Sequence, residues 1–159
     1  MVVVYPGSFD PVTYGHLDII KRCSRKFEKV IVVVMNNSSK KYLFSLEERQ
    51  NMIRECLKDY DNIEVDHSSG LLVDYLHDRN VNVLVKGLRA LSDFEFEFQM
   101  ALMNNCLDSD IETFFLMTSN RYSFVSSSMV KEIAKYEGDI SNLVPDNIRD
   151  YVMNRIEKV

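Results

Sequence analysis

Long apolar runs, cysteine pairs, a positive charge excess and the common nucleotide-loop fingerprints are all missing from this 159-residue sequence. Cys23, Cys56 and Cys106 are odd in number and show no C-x-x-C spacing, which disfavours both a disulfide framework and a zinc site. Buried free thiols in a reducing cytoplasm are expected instead. No stretch reaches the ~18 consecutive apolar residues of a membrane span. Met1-Val2-Val3-Val4 reads as the start of a core strand rather than as a basic leader, so no signal peptide is expected. The formal charge is −5 and the pI about 5.2, so long-range capture of DNA or RNA is not expected. Absence of G-x-G-x-x-G argues against a dinucleotide dehydrogenase, and absence of G-x-x-x-x-G-K-S/T against a P-loop enzyme. There are no repeats, low-complexity tracts or linkers, so residues 1–159 are expected to form one domain, with C-terminal helices from about 127 onward.

What is present alternates between short apolar runs and helical periods. Val2 to Tyr5 and Val30 to Met35 read as buried strands, followed by Ile63 to Val65, Val81 to Val85 and Ile111 to Met117. Leu17, Ile20, Cys23 and Phe27 recur at helical spacing. Ser45 with Glu48, and Ser92 with Glu95, are capping-box signatures that open further helices. Phe94 to Phe98 alternates with period two, but the cap and the Met100 to Met103 continuation favour helix, with Met100 and Met103 in the core. Gly138 is placed to end a helix that begins near Ser126, and Pro145 opens the last one. Five strands alternating with helices predict an α/β, Rossmann-like, doubly wound parallel sheet with helices on both faces. In such sheets chemistry collects beyond the carboxyl ends of the strands.

Polar residues cluster after those strands. Gly7 permits a tight turn and close backbone approach. Gly15 opens a helix without a side chain in the way, so an anion can reach the first N–H groups. His16 falls in the first turn, where the positive helix end disfavours the imidazolium and leaves a neutral donor. Lys40, Lys86 and Arg89 can offset the repulsion between two polyanions, and Arg89 adds a planar fork suited to phosphate. Ser126, Ser127 and Ser128 open a helix and supply hydroxyls and free N–H groups. His67 and His77 carry no such context and read as ordinary structural or surface residues.

Thr13-Tyr14-Gly15-His16 resembles the T/H-x-G-H signature of the nucleotidylyltransferase superfamily. Pro6 to Pro11, Lys40-Lys41, Phe44 to Arg49, Lys86 to Ala90, Asp93-Phe94-Glu95 with Glu97, and Ser123 to Ser128 resemble bacterial phosphopantetheine adenylyltransferases. They do so in order and spacing across essentially the whole chain. The resemblance implies adenylyl transfer from ATP to 4′-phosphopantetheine, giving dephospho-coenzyme A and pyrophosphate. It implies His16, Lys40 and Arg89 as catalytic residues. It implies nucleotide contacts from Ser8, Phe9, His16, Gly87, Leu88, Arg89, Glu97 and the run Tyr122, Ser123, Phe124, Val125, Ser126, Ser127 and Ser128. For the acceptor it implies Ser8, Lys40, Leu72 and Lys86. Mg²⁺ is implied as bound mainly through the ATP phosphates, without a protein cage, and a homohexamer is implied as the assembly. Three positions depart from the family pattern: Ser8 stands where Thr is common, Lys86 where Arg is common, and Tyr122 where Trp is frequent.

An acceptor phosphate is already ionised near neutrality, so direct in-line attack on the α-phosphorus needs no general base and no covalent intermediate. Two other readings stay open on the residues themselves. One is a nucleotidylyltransferase acting on nicotinamide mononucleotide or glycerol 3-phosphate. The other is a nucleotide-binding module that turns nothing over.

Overall fold

The structure is a computed structural model. It describes residues 1–37 and 39–156, and the side chains of Leu91 and Ser92 also fall outside the described set. The sheet has five parallel strands: β1 (Val2–Gly7), β2 (Lys29–Met35), β3 (Ile63–Ser68), β4 (Val83–Leu88) and β5 (Glu112–Met117). Their spatial order is β3-β2-β1-β4-β5, so the order reverses between β1 and β4. The helices are α1 (Tyr14–Ser24), α2 (Leu46–Leu57), α3 (Leu72–Arg79), α4 (Leu91–Leu107), α5 (Ser127–Lys135) and α6 (Asp146–Ile156).

Strand side chains alternate between faces, and both faces are buried. Val3, Tyr5, Val30, Val32, Val34, Val83 and Val85 join one core with α1, α2, α5 and α6. Val4, Ile31, Val33 and Leu84 join the other with Val73, Tyr75 and Leu76 of α3. This is why the central strands β1, β2 and β4 carry near-continuous apolar runs, whereas the edge strands β3 and β5 are half-exposed and more mixed. Val152 of α6 is fully buried, so the last helix packs on this core.

Several boundaries differ from the sequence expectation for local reasons. β4 continues through Lys86, Gly87 and Leu88, which pair in register with Phe115, Leu116 and Met117. A charged residue followed by glycine reads as a strand end, but β5 supplies the ladder that carries the strand on. The expected Ser92–Glu95 box falls on a side chain outside the described residues, and α4 has Ala90 as its N-cap. Gly138 does not take the left-handed position that ends α5; Glu137 does, at φ 56°. The Glu137 N–H donates to Ala134 O and the Gly138 N–H to Ile133 O at 2.9 Å, a Schellman closure. Glycine is required at 138 because a Cβ there would sit 2.6 Å from Ile133 Cγ2. Of the three cysteines only Cys23 is buried; Cys56 is half-buried and Cys106 exposed.

Met100 and Met103 are not core residues. On α4 the period-two Phe pattern splits between two faces. Phe94 and Phe98 stack at 5.5 Å, and Phe94 meets Phe115 of β5 edge-on at 5.7 Å. Phe96, Met100, Met103 and Leu107, at i, i+4, i+7 and i+11, form a different stripe that faces a cleft.

Candidate active site

The carboxyl ends of β1 and β4 diverge at the reversal of strand order and open a cleft of about 980 Å³. Its floor comes from the loop after β1. Phe9 takes a left-handed backbone conformation at φ 50° and turns its ring inward, where it is 1 % exposed. The ring lies over Gly7, where a Cβ would sit 2.8 Å from Phe9 Cζ. Tyr5 and His16 meet the same ring edge-on at 5.7 and 5.0 Å. Asp10 is almost fully buried and accepts from the Leu43 and Phe44 N–H groups and from Lys131 Nζ, at 2.9–3.0 Å. Asp10 therefore binds the floor to the loop before α2 and to α5.

α1 begins at a reciprocal cap. The Thr13 hydroxyl accepts from the His16 N–H, and the Thr13 N–H donates to His16 Nδ1 at 3.1 Å. A backbone N–H can only donate, so Nδ1 is unprotonated and the neutral ring carries its proton on Nε2. Burial, and secondly the nearby Arg89 cation, lower the His16 pKa to about 4. Desolvation and Arg89 thus add to the positive helix end in favouring the neutral ring. The Tyr14 N–H is used by Leu143 O. That leaves the Gly15 N–H as the open donor of this turn.

The opposite wall is charged. Arg89 donates through Nε and one terminal nitrogen to both Asp93 oxygens, at 2.9 and 3.1 Å. Its other terminal nitrogen donates to Val125 O at 3.1 Å. Lys86 Nζ lies 3.1 Å from Glu97 Oε2. Glycine at 87 lets β4 run tight against α1, since a Cβ there would be 3.0 Å from Ile19 Cγ1.

At the start of α5 the Ser126 hydroxyl accepts from the Met129 N–H, and the Ser127 hydroxyl donates to Pro11 O at 2.7 Å. The Ser127 and Ser128 N–H groups, first in the helix, have no intrahelical partner.

Thirteen of the expected site residues line this one cleft: Ser8, Phe9, His16, Lys40, Leu72, Lys86, Gly87, Arg89, Glu97, Val125, Ser126, Ser127 and Ser128. Leu88, Tyr122, Ser123 and Phe124 do not. Leu88 is buried, and Tyr122 stacks on Tyr14 with centroids 5.6 Å apart. The Ser123 hydroxyl donates to Asn120 O, and Phe124 is exposed. The aromatic at 122 packs against Tyr14 of α1. His67 and His77 are exposed, with His77 bonded to Asp108. Sequence reading missed Asp93, Asp10 and Lys131 as partners. Asp93 has a local signal, an Arg and Asp at i, i+4; the Asp10–Lys131 pair, 121 residues apart, has none.

A parallel sheet with this reversal, and a Gly-His helix start at its carboxyl edge, defines a nucleotidyl-transferring class. The chain belongs to the cytidylyltransferase-like family, which matches residues 4–133. Two solved structures share the fold. A chain from Vibrio parahaemolyticus, provisionally assigned as a nicotinate-nucleotide adenylyltransferase, superposes with a TM-score of 0.74 at 13 % identity, over 99 % of this chain and 96 % of that one. The Plasmodium falciparum nicotinic acid mononucleotide adenylyltransferase complexed with NaAD superposes at 0.67 with 17 % identity, over 99 % and 94 %. At these identities they establish the fold alone. The phosphopantetheine adenylyltransferase of Clostridium tetani is 57 % identical over 147 residues, 92 % of each chain. Within the class, this chain belongs to the phosphopantetheine adenylyltransferases.

Proposed function

We propose that the chain transfers the adenylyl group of ATP to 4′-phosphopantetheine, giving dephospho-coenzyme A and pyrophosphate. The observation that carries this reading is one cleft joining three features. They are a neutral Nε2-protonated His16, cations on two sides, and an apolar wall formed by Phe96, Met100, Met103 and Leu107. A reaction between two phosphates needs the first two, and a pantetheine arm needs the third.

The acceptor phosphate attacks the α-phosphorus in line, and pyrophosphate leaves. His16 Nε2–H donates to an α-phosphate oxygen as charge develops, without giving up its proton. Lys40 and Lys86 hold the acceptor phosphate above Ser8. Arg89, Glu97 and the α5 N-terminus hold the nucleotide, and Leu72 borders the pantetheine arm. Among the described residues no group of three or more His, Cys, Asp or Glu could hold a metal ion. The cleft carboxylates Asp93 and Glu97 are each paired with a cation. Magnesium bound mainly through the ATP phosphates would offset polyphosphate charge beside Lys40, Lys86 and Arg89.

Pyrophosphate release with ATP and each of 4′-phosphopantetheine, nicotinamide mononucleotide and glycerol 3-phosphate tests the reading. Release with the first alone is expected. Release with another acceptor, or with none, overturns it.

A second apolar stripe supports self-assembly. Phe94, Phe98 and Leu102, at i, i+4 and i+8 of α4, are between 39 and 56 % exposed in the single chain. Further copies cover this stripe in a homohexamer, whose mass light scattering measures; a monomeric mass counts against it. Among the described residues no helix is long and apolar enough to cross a membrane.

A further inference from the structure

Arg49 is the largest fully buried side chain among the described residues, with no exposed surface. No carboxylate lies within ion-pair distance of it among the described residues. Taking a guanidinium out of water is costly, and a carboxylate ordinarily compensates. Here the compensation is of another kind. One terminal nitrogen donates to Ser8 O at 2.9 Å and to Met35 O at 3.0 Å. The other donates to Asn36 Oδ1 at 3.0 Å, and the Tyr42 ring lies 3.9 Å from the guanidinium carbon. Nε is buried without a partner.

These contacts fall at particular places. Ser8 follows the last residue of β1, and Met35 is the last residue of β2. Asn36 and Tyr42 bracket the loop that carries Lys40. All four contacted residues line the cleft. One planar fork thus fastens two adjacent strand ends to the root of the lysine loop, from underneath. A lysine can supply the charge but not this spread of directed donors.

We infer that Arg49 is a positioning residue for the acceptor-phosphate side of the cleft. It fixes the Ser8 backbone and Asn36 and Tyr42, on either side of Lys40, so that Ser8 and Lys40 converge on the same phosphate. Its bonds go to Ser8, Met35 and Asn36 and its stacking to Tyr42, not to Arg89 or α5, so the larger effect falls on the acceptor side. This inference rests on the proposed function.

The test is steady-state kinetics of Arg49→Lys at a temperature where circular dichroism shows it folded. The KM for 4′-phosphopantetheine should rise about tenfold and kcat should fall by up to ~10², the scale of a misplaced reacting group. The KM for ATP should stay within about twofold. A purely structural role would reduce the folded fraction, which scales apparent kcat and leaves both KM values unchanged; that result overturns the inference. If Arg49→Lys does not fold, Asn36→Ala removes one acceptor of the fork without touching the core. It should raise the acceptor KM selectively and speed amide exchange at Lys40–Tyr42; unchanged constants or unchanged exchange overturn the inference. A wild-type chain that turns over normally beside an unaffected Arg49→Lys overturns this inference alone. A wild type that releases no pyrophosphate with 4′-phosphopantetheine overturns the functional reading and this inference together.

Discussion

The β1 wall of the cleft offers its donors through neutral hydrogen bonds made within a few residues, whereas the β4 wall offers cations already held by carboxylates. On the β1 side, Thr13 and His16 lock each other across one helical turn, and the ring stands ready with Nε2–H outward. Nothing there has to be released before a phosphate binds. On the β4 side, Arg89 is clamped by Asp93 and Lys86 sits beside Glu97. A polyphosphate must share or displace those carboxylates. A transition-state donor gains most from being fixed in advance, because reorganisation during reaction costs rate. A binding cation in an empty cleft gains from a carboxylate, because an unpaired charge in a partly buried site is destabilising. The two walls therefore suit different duties, chemistry on one and capture on the other.

Three experiments break or sharpen that contrast. The largest effect is expected for His16→Ala, which should lower kcat by ~10²–10³ with little change in either KM. Wild-type turnover in that variant would remove the chemical role of the β1 wall. A smaller effect is expected for Arg89→Lys. The substitution keeps the charge but cannot reach Asp93 and Val125 O together, so kcat/KM for ATP should drop about tenfold, the value of one charge-assisted hydrogen bond. A loss as deep as that of His16→Ala, and confined to kcat, would show that the β4 wall also does chemistry.

The smallest effect concerns pH. The His16 ring should titrate near pH 4 by nuclear magnetic resonance instead of near its ordinary 6.5. Because the folded pKa is lowered, no stability is lost above pH 6.5. As pH falls from 6.5 toward 4, the unfolded chain takes up a proton that the folded chain refuses, and stability declines. The wild type should lose roughly a few degrees more in Tm over that window than His16→Asn does. A ring midpoint near 6.5 would contradict the partly buried, neutral donor.

Much of this molecule was legible along the chain because the signals are local. The Val and Ile runs announced strands buried on both faces, and the Ser45–Glu48 box opened α2 as expected. Thr13 to His16 marked the helix start that the cleft is built around. What was misread depended on neighbours distant in sequence. Met100 and Met103 looked like core residues, since nothing in their own helix says that the facing side is open cleft. The fourth strand was expected to stop at Val85, but β5 carries it on through Lys86, Gly87 and Leu88.

By itself the sequence determined the element order, the parallel α/β class and the helix start at Gly15-His16, because periodicity, capping and β-branched runs act over a few residues. Only the tertiary structure decided which groups are already paired and which are free to meet a ligand. Arg49 beneath Ser8, Asp10 with Lys131, and Arg89 with both Asp93 and the Val125 carbonyl are results of chain segments meeting in space. Burial then sets the charge state of His16, and burial is a property of everything packed around a residue rather than of its place in the chain.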